Sequence, residues 1–255
     1  MGDGLQRDGE KTVTIGSIGE LNALTSRRGF MKLMGLGGAL VLLPSVLTAC
    51  DDDDILTAPG AGNAVTIDFA KGDIAILQFA YALEQLEADF YTQVVNNFSG
   101  SDITTAEQTV LGDVRNHEVI HRDFLKAALG ADASFTLTPT YPGVNFKSRA
   151  SVLATAKTFE DLGVAAYNGA AQYFSNTAAG LAYLTIAGKI VSVEARHASA
   201  IRDLISPRTS DFAPASFDDA FRPAKVAAAA QGFIVDVLGF ANAPTTFVQG
   251  PNNNG

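Results

Sequence analysis

The sequence contains no tryptophan and a single cysteine, Cys50, among its 255 residues. One cysteine cannot form an internal disulfide, so the fold depends on its core. Basic residues are also few, since 18 Lys and Arg stand against 27 Asp and Glu, a formal net charge of −9. Nucleic acids and anionic lipid head groups bind basic surfaces, and this charge therefore argues against either as a partner held by charge. Apolar residues make up 47% of the chain, which is ample for a core.

Glutamate and histidine are scarce, which makes their positions informative. A pattern that uses most of them is a stronger signal of function than the same pattern in a chain rich in both. The eight Glu and three His are Glu10, Glu20, Glu84, Glu87, Glu107, Glu118, Glu160, Glu194, His117, His121 and His197.

The first fifty residues carry the features of an export signal. Residues 26–32 (SRRGFMK) resemble the twin-arginine export motif, and an apolar, glycine-diluted stretch follows from residue 33 to residue 50. Residues 47–50 (LTAC) resemble the bacterial lipobox, in which the cysteine is lipidated and becomes the mature N-terminus. The alternative is a short transmembrane anchor, since this uncharged, moderately apolar stretch of 18 residues is near the lower limit for a bilayer span. Paired arginines before a glycine-diluted run favour the cleaved signal.

These motifs predict the organisation of the N-terminal part. We expect a twin-arginine lipoprotein signal peptide over residues 1–49 and a lipidated, flexible tether over residues 50–66. The tether begins at Cys50, continues with four aspartates and contains a Gly- and Pro-rich stretch over residues 58–63. The resemblance implies an exported protein of the bacterial cell envelope, lipid-anchored on the outer face of the cytoplasmic membrane or in the periplasm.

Four segments show the apolar periodicity of helices, over residues 73–97, 104–129, 151–174 and 178–205. Short connections join the first to the second and the third to the fourth, so each pair forms an antiparallel hairpin. About twenty residues with two prolines separate the hairpins, which is enough to cross the height of a bundle. The sequence therefore predicts an all-α four-helix bundle over residues 67–206. A C-terminal extension over residues 207–255 is expected to be partly helical, around residues 223–238, with a disordered end at residues 251–255.

Acidic and imidazole side chains interrupt the inward face of each helix at its centre. Four carboxylates at one level of a core would repel each other, and two divalent cations remove that difficulty. Oxygen and imidazole ligands in this proportion suit iron or manganese. The residues are Glu84 and Glu87 on the first helix, Glu118 and His121 on the second, Glu160 on the third, and Glu194 and His197 on the fourth.

The spacing of these residues repeats in the two halves of the bundle. Glu84 precedes Glu118 by 34 residues, and Glu160 precedes Glu194 by the same number. A tyrosine, Tyr91 or Tyr167, follows the first glutamate of each half by seven residues. Two similar hairpins that face each other across a metal pair would produce this repeat.

The arrangement resembles the ferritin-like superfamily of di-iron carboxylate bundles. The likeness covers about residues 70–205, and residues 83–91 (LEQLEADFY) are similar to the first helix of the ferritin-like family that includes plant desiccation-related proteins. The resemblance implies one glutamate from each of two helices and a Glu-x-x-His pair from each of the other two. The implied metal ligands are Glu84, Glu118, His121, Glu160, Glu194 and His197.

Several neighbouring residues keep more than one interpretation. Spacing favours Glu84 over Glu87 as the first-helix ligand, and Glu87 is then an extra ligand, a partner of a ligand, or a carboxylate on the path by which metal arrives. We interpret Tyr91 and Tyr167 as core residues whose hydroxyls donate a hydrogen bond to a ligand carboxylate, in preference to redox-active side chains. His117 faces about 100° away from Glu118 and is expected to be a surface or internally satisfied histidine.

The expected function is metal-dependent redox chemistry. The resemblance implies two bound metal ions, iron first and manganese as the alternative, which react with dioxygen or peroxide in a ferroxidase-like or peroxide-consuming reaction. The competing hypothesis is a non-enzymatic metal-binding protein that takes part in an envelope stress response or in an interaction. The sequence leaves a homodimer open and does not select the substrate.

Overall fold

This computed structural model describes residues 63–247, which form five α-helices and two β-strands. The predicted signal peptide, Cys50, most of the tether and the expected disordered end lie outside the described residues. Four long helices form the bundle, a short helix follows, and a strand lies at each end of the described chain. In chain order the elements are β1 Ala64–Asp68, α1 Asp73–Asn96, α2 Thr105–Leu129, α3 Arg149–Ala170, α4 Ala178–Ile205, α5 Pro223–Ala230 and β2 Val237–Ala241.

Polar residues at the helix starts explain where the long helices begin. At α2, the Thr104 hydroxyl accepts from the backbone N–H of Glu107, and the Glu107 carboxylate accepts from the backbone N–H of Thr104. Together these two hydrogen bonds form a capping box. Ser148 and Thr177 cap α3 and α4 in the same way with their hydroxyls. The start of α3 lies two residues before the predicted one, because Ser148 rather than a later residue caps it. A 3₁₀ turn over Ala171–Tyr173 ends its regular helix earlier than predicted.

The all-α bundle predicted from the sequence is confirmed. Helix α1 packs along α2, and α3 packs along α4, as two hairpins with short connections. Residues 131–148 form the long crossover and are held against α1. There the Tyr141 hydroxyl donates to the Asp89 carboxylate at 2.9 Å, and the Leu137 N–H donates to the Gln85 side chain at 3.0 Å.

A two-stranded parallel sheet, which the sequence did not predict, joins the two ends of the described chain. β1 pairs with β2, with Ala64 opposite Val237 and Asp68 opposite Ala241. The last three residues of the predicted tether, 64–66, therefore lie in a strand. Phe240 of β2 makes an edge-to-face contact with Phe79 of α1 at a centroid distance of 5.8 Å, so the sheet covers the start of the bundle.

The C-terminal extension packs on the bundle as far as the structure describes it. The backbone N–H of Phe221 donates to the carbonyl of Ala165 on α3 at 2.9 Å. Gly169 makes this approach fit, because a Cβ there would lie 1.9 Å from the carbonyl oxygen of Phe221. The expected helical stretch is shorter than predicted: α5 ends at Ala230, a 3₁₀ turn follows, and the chain then enters β2. Bundle and extension belong to one compact unit.

Helix α4 is long and apolar enough to cross a membrane by length and composition alone. Its Glu194 and His197 are buried among the other three helices, and both are polar. Its role in the described fold is that of a bundle helix.

Candidate metal centre

Six side chains from the middle of the four long helices meet in the bundle core. Helical periodicity places them there, since each lies on the inward stripe of its helix. All four carboxylates have no exposed surface, and the two imidazoles belong to residues that are 9% and 5% exposed. The six residues are Glu84, Glu118, His121, Glu160, Glu194 and His197.

These side chains form two groups that could each hold a metal ion. In each group the possible ligand atoms all lie within 4.8 Å of one another. Glu118 and Glu194 belong to both groups, and every other residue belongs to one. The first group adds Glu84 and His121, and the second adds Glu160 and His197.

Each shared carboxylate turns one oxygen towards each group. Glu194 places Oε1 at 2.9 Å from Nδ1 of His121 and Oε2 at 3.7 Å from Nδ1 of His197. Glu118 places Oε2 at 3.3 Å from Nδ1 of His121 and Oε1 at 2.8 Å from Nδ1 of His197. Each of these two carboxylates could therefore contribute one ligand oxygen to each group.

The remaining carboxylates each face one imidazole only. Oε2 of Glu84 lies 3.6 Å from Nδ1 of His121, and Oε2 of Glu160 lies 3.4 Å from Nδ1 of His197. They are therefore placed as terminal ligands, one for each group.

The donor set fits metal ions better than it fits a hydrogen-bond network. Several of these ligand atoms are close together, yet they have no hydrogen-bond partner among residues 63–247. A buried polar atom without a partner costs free energy, and an ion at the centre of each group would satisfy these atoms together. The atoms are Glu84 Oε2, Glu118 Oε1, Glu160 Oε2, Glu194 Oε1 and Oε2, and His197 Nδ1.

The pKa values show how protons would fill the cluster in place of cations. Burial raises the pKa of Glu160 to about 8 and that of Glu84 well above its ordinary value. Burial alone would lower the pKa of both imidazoles, but the close contacts with the surrounding carboxylates outweigh it and raise the pKa of His121 and His197 to about 12. Burial acts to raise the pKa of Glu118, yet its contacts with both imidazoles outweigh burial and lower that pKa to about 2. Without metal the cluster therefore binds protons, and metal ions that bind there would displace them.

Comparison with known families identifies the fold. A family model for the ferritin-like domain matches residues 72–207, which are the four long helices and their connections. The chain belongs to the ferritin-like family. No curated protein matches it.

Two tyrosines hold the terminal carboxylates of the ferritin-like bundle from opposite halves. Tyr167 on α3 donates its hydroxyl to Oε1 of Glu84 on α1 at 2.6 Å, and Tyr91 on α1 donates to Oε1 of Glu160 on α3. Each bond leaves the Oε2 oxygen facing its group. Burial raises the pKa of both phenols well above the ordinary value, followed by the charge of the accepting carboxylate, so both remain donors. This is the contact that the sequence favours for them.

Glu87 lies beside the cluster but in neither group. It is 4% exposed, and its carboxylate occupies the space that Gly163 leaves free on α3, where a Cβ would lie 3.0 Å from Oε1. Burial raises its pKa well above the ordinary value, and the charges of Glu194 and Glu118 act in the same direction. Of the two first-helix candidates, the geometry brings Glu84 into the cluster and places Glu87 beside it, against Gly163.

His117 is a further candidate site residue, which the sequence analysis did not identify. It is exposed, as expected, but its Nδ1 lies 2.8 Å from Nε2 of His197. A partner of this kind orients a ligand imidazole. The sequence could not predict this contact, because the two histidines are 80 residues apart and His117 lies off the inward stripe of its helix.

Proposed function

We propose that this ferritin-like protein binds a pair of iron ions in the buried cluster and catalyses ferroxidase-like chemistry with dioxygen. The observation that carries the proposal is the division of the oxygens of Glu118 and Glu194 between the two groups. A structural site for a single ion needs no such sharing, whereas a pair of ions needs bridging ligands. Manganese in one or both positions is the alternative metal, because the same ligand types suit it.

The charge of the cluster supports two divalent cations. Four carboxylates bring four negative charges when ionised, and the two imidazoles bind metal in their neutral form. Two divalent cations balance that charge, while one would leave two negative charges buried at high cost. Glu87 adds no charge when it is protonated, which its raised pKa favours.

The residues around the cluster suit a redox site that excludes water. An iron pair held by these residues would supply two electrons, one from each Fe²⁺ as it becomes Fe³⁺, which with two protons would reduce dioxygen to hydrogen peroxide. Tyr91 and Tyr167 fix the terminal carboxylates, and burial of all four carboxylates keeps solvent away from them. Electrostatic interactions in such a dry site are stronger than in water.

The decisive experiment measures Fe²⁺ oxidation by the full-length chain. Fe²⁺ is added without air, bound iron is counted, and dioxygen uptake and the ferric absorption band are followed after air is admitted. We expect two Fe²⁺ per chain and rapid colour development in the parent, with both lost in Glu118→Gln. The matched control is Asp113→Asn, which removes an exposed carboxylate from the same helix and should behave as the parent.

Other results of this experiment contradict the proposal. A parent protein that binds iron but takes up no dioxygen has no ferroxidase activity. If its thermal stability then depends on metal, the protein is a non-enzymatic metal-binding protein. One ion per chain at saturation would contradict the shared role of Glu118 and Glu194.

We also propose that the protein is exported and anchored to the cytoplasmic membrane through a lipid on Cys50, and that it is related to the group that includes plant desiccation-related proteins. The support is the sequence alone: the SRRGFMK and LTAC motifs and the LEQLEADFY segment. Expression in a bacterium with a labelled fatty acid tests the anchor. Label should enter the parent and not Cys50→Ser, and replacement of Arg27 and Arg28 by lysine should leave the protein in the cytoplasm. Unlabelled, soluble parent protein would exclude the anchor.

A further inference from the structure

An apolar cavity lies in the core of the bundle, near the cluster but separate from it. All four long helices contribute to its wall, and apart from two tyrosines its lining is aliphatic or phenylalanine. Its wall includes Ala80, Leu83, Leu125, Tyr167, Ala187 and Ile190.

The cavity is about one helical turn from the candidate ligands. Leu125 is four residues after His121 on α2. Ile190 is four residues before Glu194 on α4. Four residues of helix rise about 6 Å, so a molecule in the cavity would be close to the cluster.

Tyr167 stands between the cavity and the cluster. Its side chain lines the cavity, while its hydroxyl donates to Glu84. The Tyr167 hydroxyl therefore already makes a hydrogen bond to the cluster. A molecule in the cavity meets the apolar part of this tyrosine.

The size of the cavity limits what it can hold. About 20 Å³ is open to the centre of a water-sized molecule. Since one such molecule needs at least about 10–15 Å³, the cavity takes a molecule of two or three atoms and excludes an acyl chain. A buried water is held by two to four polar partners, which these walls do not offer, and apolar cavities stay dry or bind apolar molecules.

The cavity reaches the surface between α2 and α4. Phe124 lines it and is 42% exposed, and Tyr183 and Ala187 on the facing helix are half-buried. Helix α2 packs only lightly on α4, which leaves room for a small molecule to pass.

We propose that this cavity is a binding site for a small apolar molecule, and that in the working protein the molecule is dioxygen, held one helical turn from the cluster. The assignment to dioxygen rests on the proposed function, whereas the binding site itself does not. Hydrogen peroxide needs several hydrogen bonds, and the side chains of these walls offer it only two tyrosine hydroxyls, of which that of Tyr167 already donates to Glu84. The cavity therefore favours dioxygen over peroxide as the oxidant.

Xenon is the probe, because it is apolar and binds without metal or turnover. Crystals or solutions of the full-length protein are equilibrated with xenon, and its position is read from X-ray difference density or from ¹²⁹Xe NMR shifts. We expect xenon in the parent and its loss in Ala187→Leu, which fills the cavity. The control is Ala182→Leu, an exposed position of the same helix outside the cavity, which should keep xenon. If Ala187→Leu fails to fold, Phe124→Ala replaces it and should speed xenon exchange by opening the mouth.

Absence of xenon from the parent, or binding that Ala187→Leu leaves unchanged, overturns the binding site. The role in catalysis is read from Fe²⁺-loaded protein: in Ala187→Leu oxidation by dioxygen should slow several-fold, while oxidation by hydrogen peroxide should match the parent. Equal slowing with both oxidants overturns the selective role. A parent that binds xenon but oxidises no Fe²⁺ contradicts the proposed function and leaves the apolar site standing.

Discussion

Nδ1 of His117 lies 2.8 Å from Nε2 of His197, so an exposed imidazole holds a buried one. The two rings are nearly parallel, at 11°. If Nδ1 of His197 binds a metal ion, its proton lies on Nε2, and Nδ1 of His117 would then accept the hydrogen bond. Nε2 of His121 has no comparable partner in the described part of the chain. The two halves of the centre, alike in their ligands, therefore differ in how firmly their imidazoles are held.

Removal of the His117 ring should weaken metal binding in the half that contains His197. We expect His117→Ala to lower the affinity of one of the two metal positions by about 10–100-fold, the usual effect of losing a partner of a ligand. Competition titration with a metal-binding dye measures both affinities. His117→Asn, whose side-chain oxygen can accept the same hydrogen bond, should restore much of the affinity. Equal weakening of both positions would contradict the assignment.

The two tyrosines should stabilise the fold through the carboxylates that they hold. Tyr167→Phe leaves Oε1 of Glu84 buried without its donor, and the expected loss is about 1–3 kcal/mol in the free energy of unfolding. Tyr91→Phe should cost a similar amount through Glu160. Urea unfolding of the metal-free protein measures both losses. Tyr183→Phe is the control, because its hydroxyl makes no hydrogen bond within residues 63–247, and it should be near neutral.

The stability of the metal-free protein should fall as the pH rises from about 5.5 to 8. Glu160 has its folded pKa raised from 4.5 to about 8, so its contribution is full below pH 4.5 and is lost as the pH rises through 8. His121 and His197, raised from 6.5 to about 12, contribute fully below pH 6.5 and lose that contribution as the pH rises further. Glu118 has a lowered pKa and loses its contribution only below pH 4.5, outside this range.

Metal ions reverse this trend, since they replace the protons on the cluster. The increase in melting temperature that saturating Mn²⁺ produces should therefore be larger at pH 8 than at pH 5.5. Calorimetry at the two pH values, with and without Mn²⁺, measures the difference. An increase that is the same at both would show that metal binding does not displace these protons.

Two glycine substitutions should separate the close packing of the extension from ordinary helix propensity. Gly169→Ala places a methyl group against the Phe221 carbonyl and should cost about 1–3 kcal/mol as the extension shifts. Gly188→Ala meets no atom within 4 Å and should stabilise the protein by about 0.5–1 kcal/mol. Thermal unfolding of both variants tests the difference, and a neutral Gly169→Ala would mean that residues around Phe221 are loosely held.

The sequence predicted those features that follow from local periodicity. The candidate centre was predictable because six of the few Glu and His residues lie on inward stripes at matching intervals. Four buried carboxylates would also repel each other unless cations bind between them. The capping box of Thr104 and Glu107 is equally local, since its two residues are three apart in the sequence. In each case the residues that interact are close in sequence or repeat in register.

Features that depend on contacts between distant segments were not predictable in this way. The partner of β1 lies about 170 residues away, and neither five-residue strand has a period strong enough to mark it. His117 lies off the inward face of α2, and its contact with His197 exists only because α4 packs beside α2 in the folded protein. Spacing favours Glu84 over Glu87, but the position of Glu87 depends on the space at Gly163, and therefore on how closely α1 and α3 approach.

The strand pair has a consequence for the order in which the protein is made. Ala64 leaves the ribosome first, and its partner Val237 follows 173 residues later, which at about 5–20 residues per second takes roughly 10–35 s. The four bundle helices can form during that interval from neighbouring contacts, but β1 cannot. Phe79, which Phe240 covers in the finished fold, remains uncovered by β2 until the strand arrives. The sheet can therefore form only after β2 has been synthesised. A nascent protein that stops short of β2 exposes the unpaired edge of β1 to neighbouring molecules.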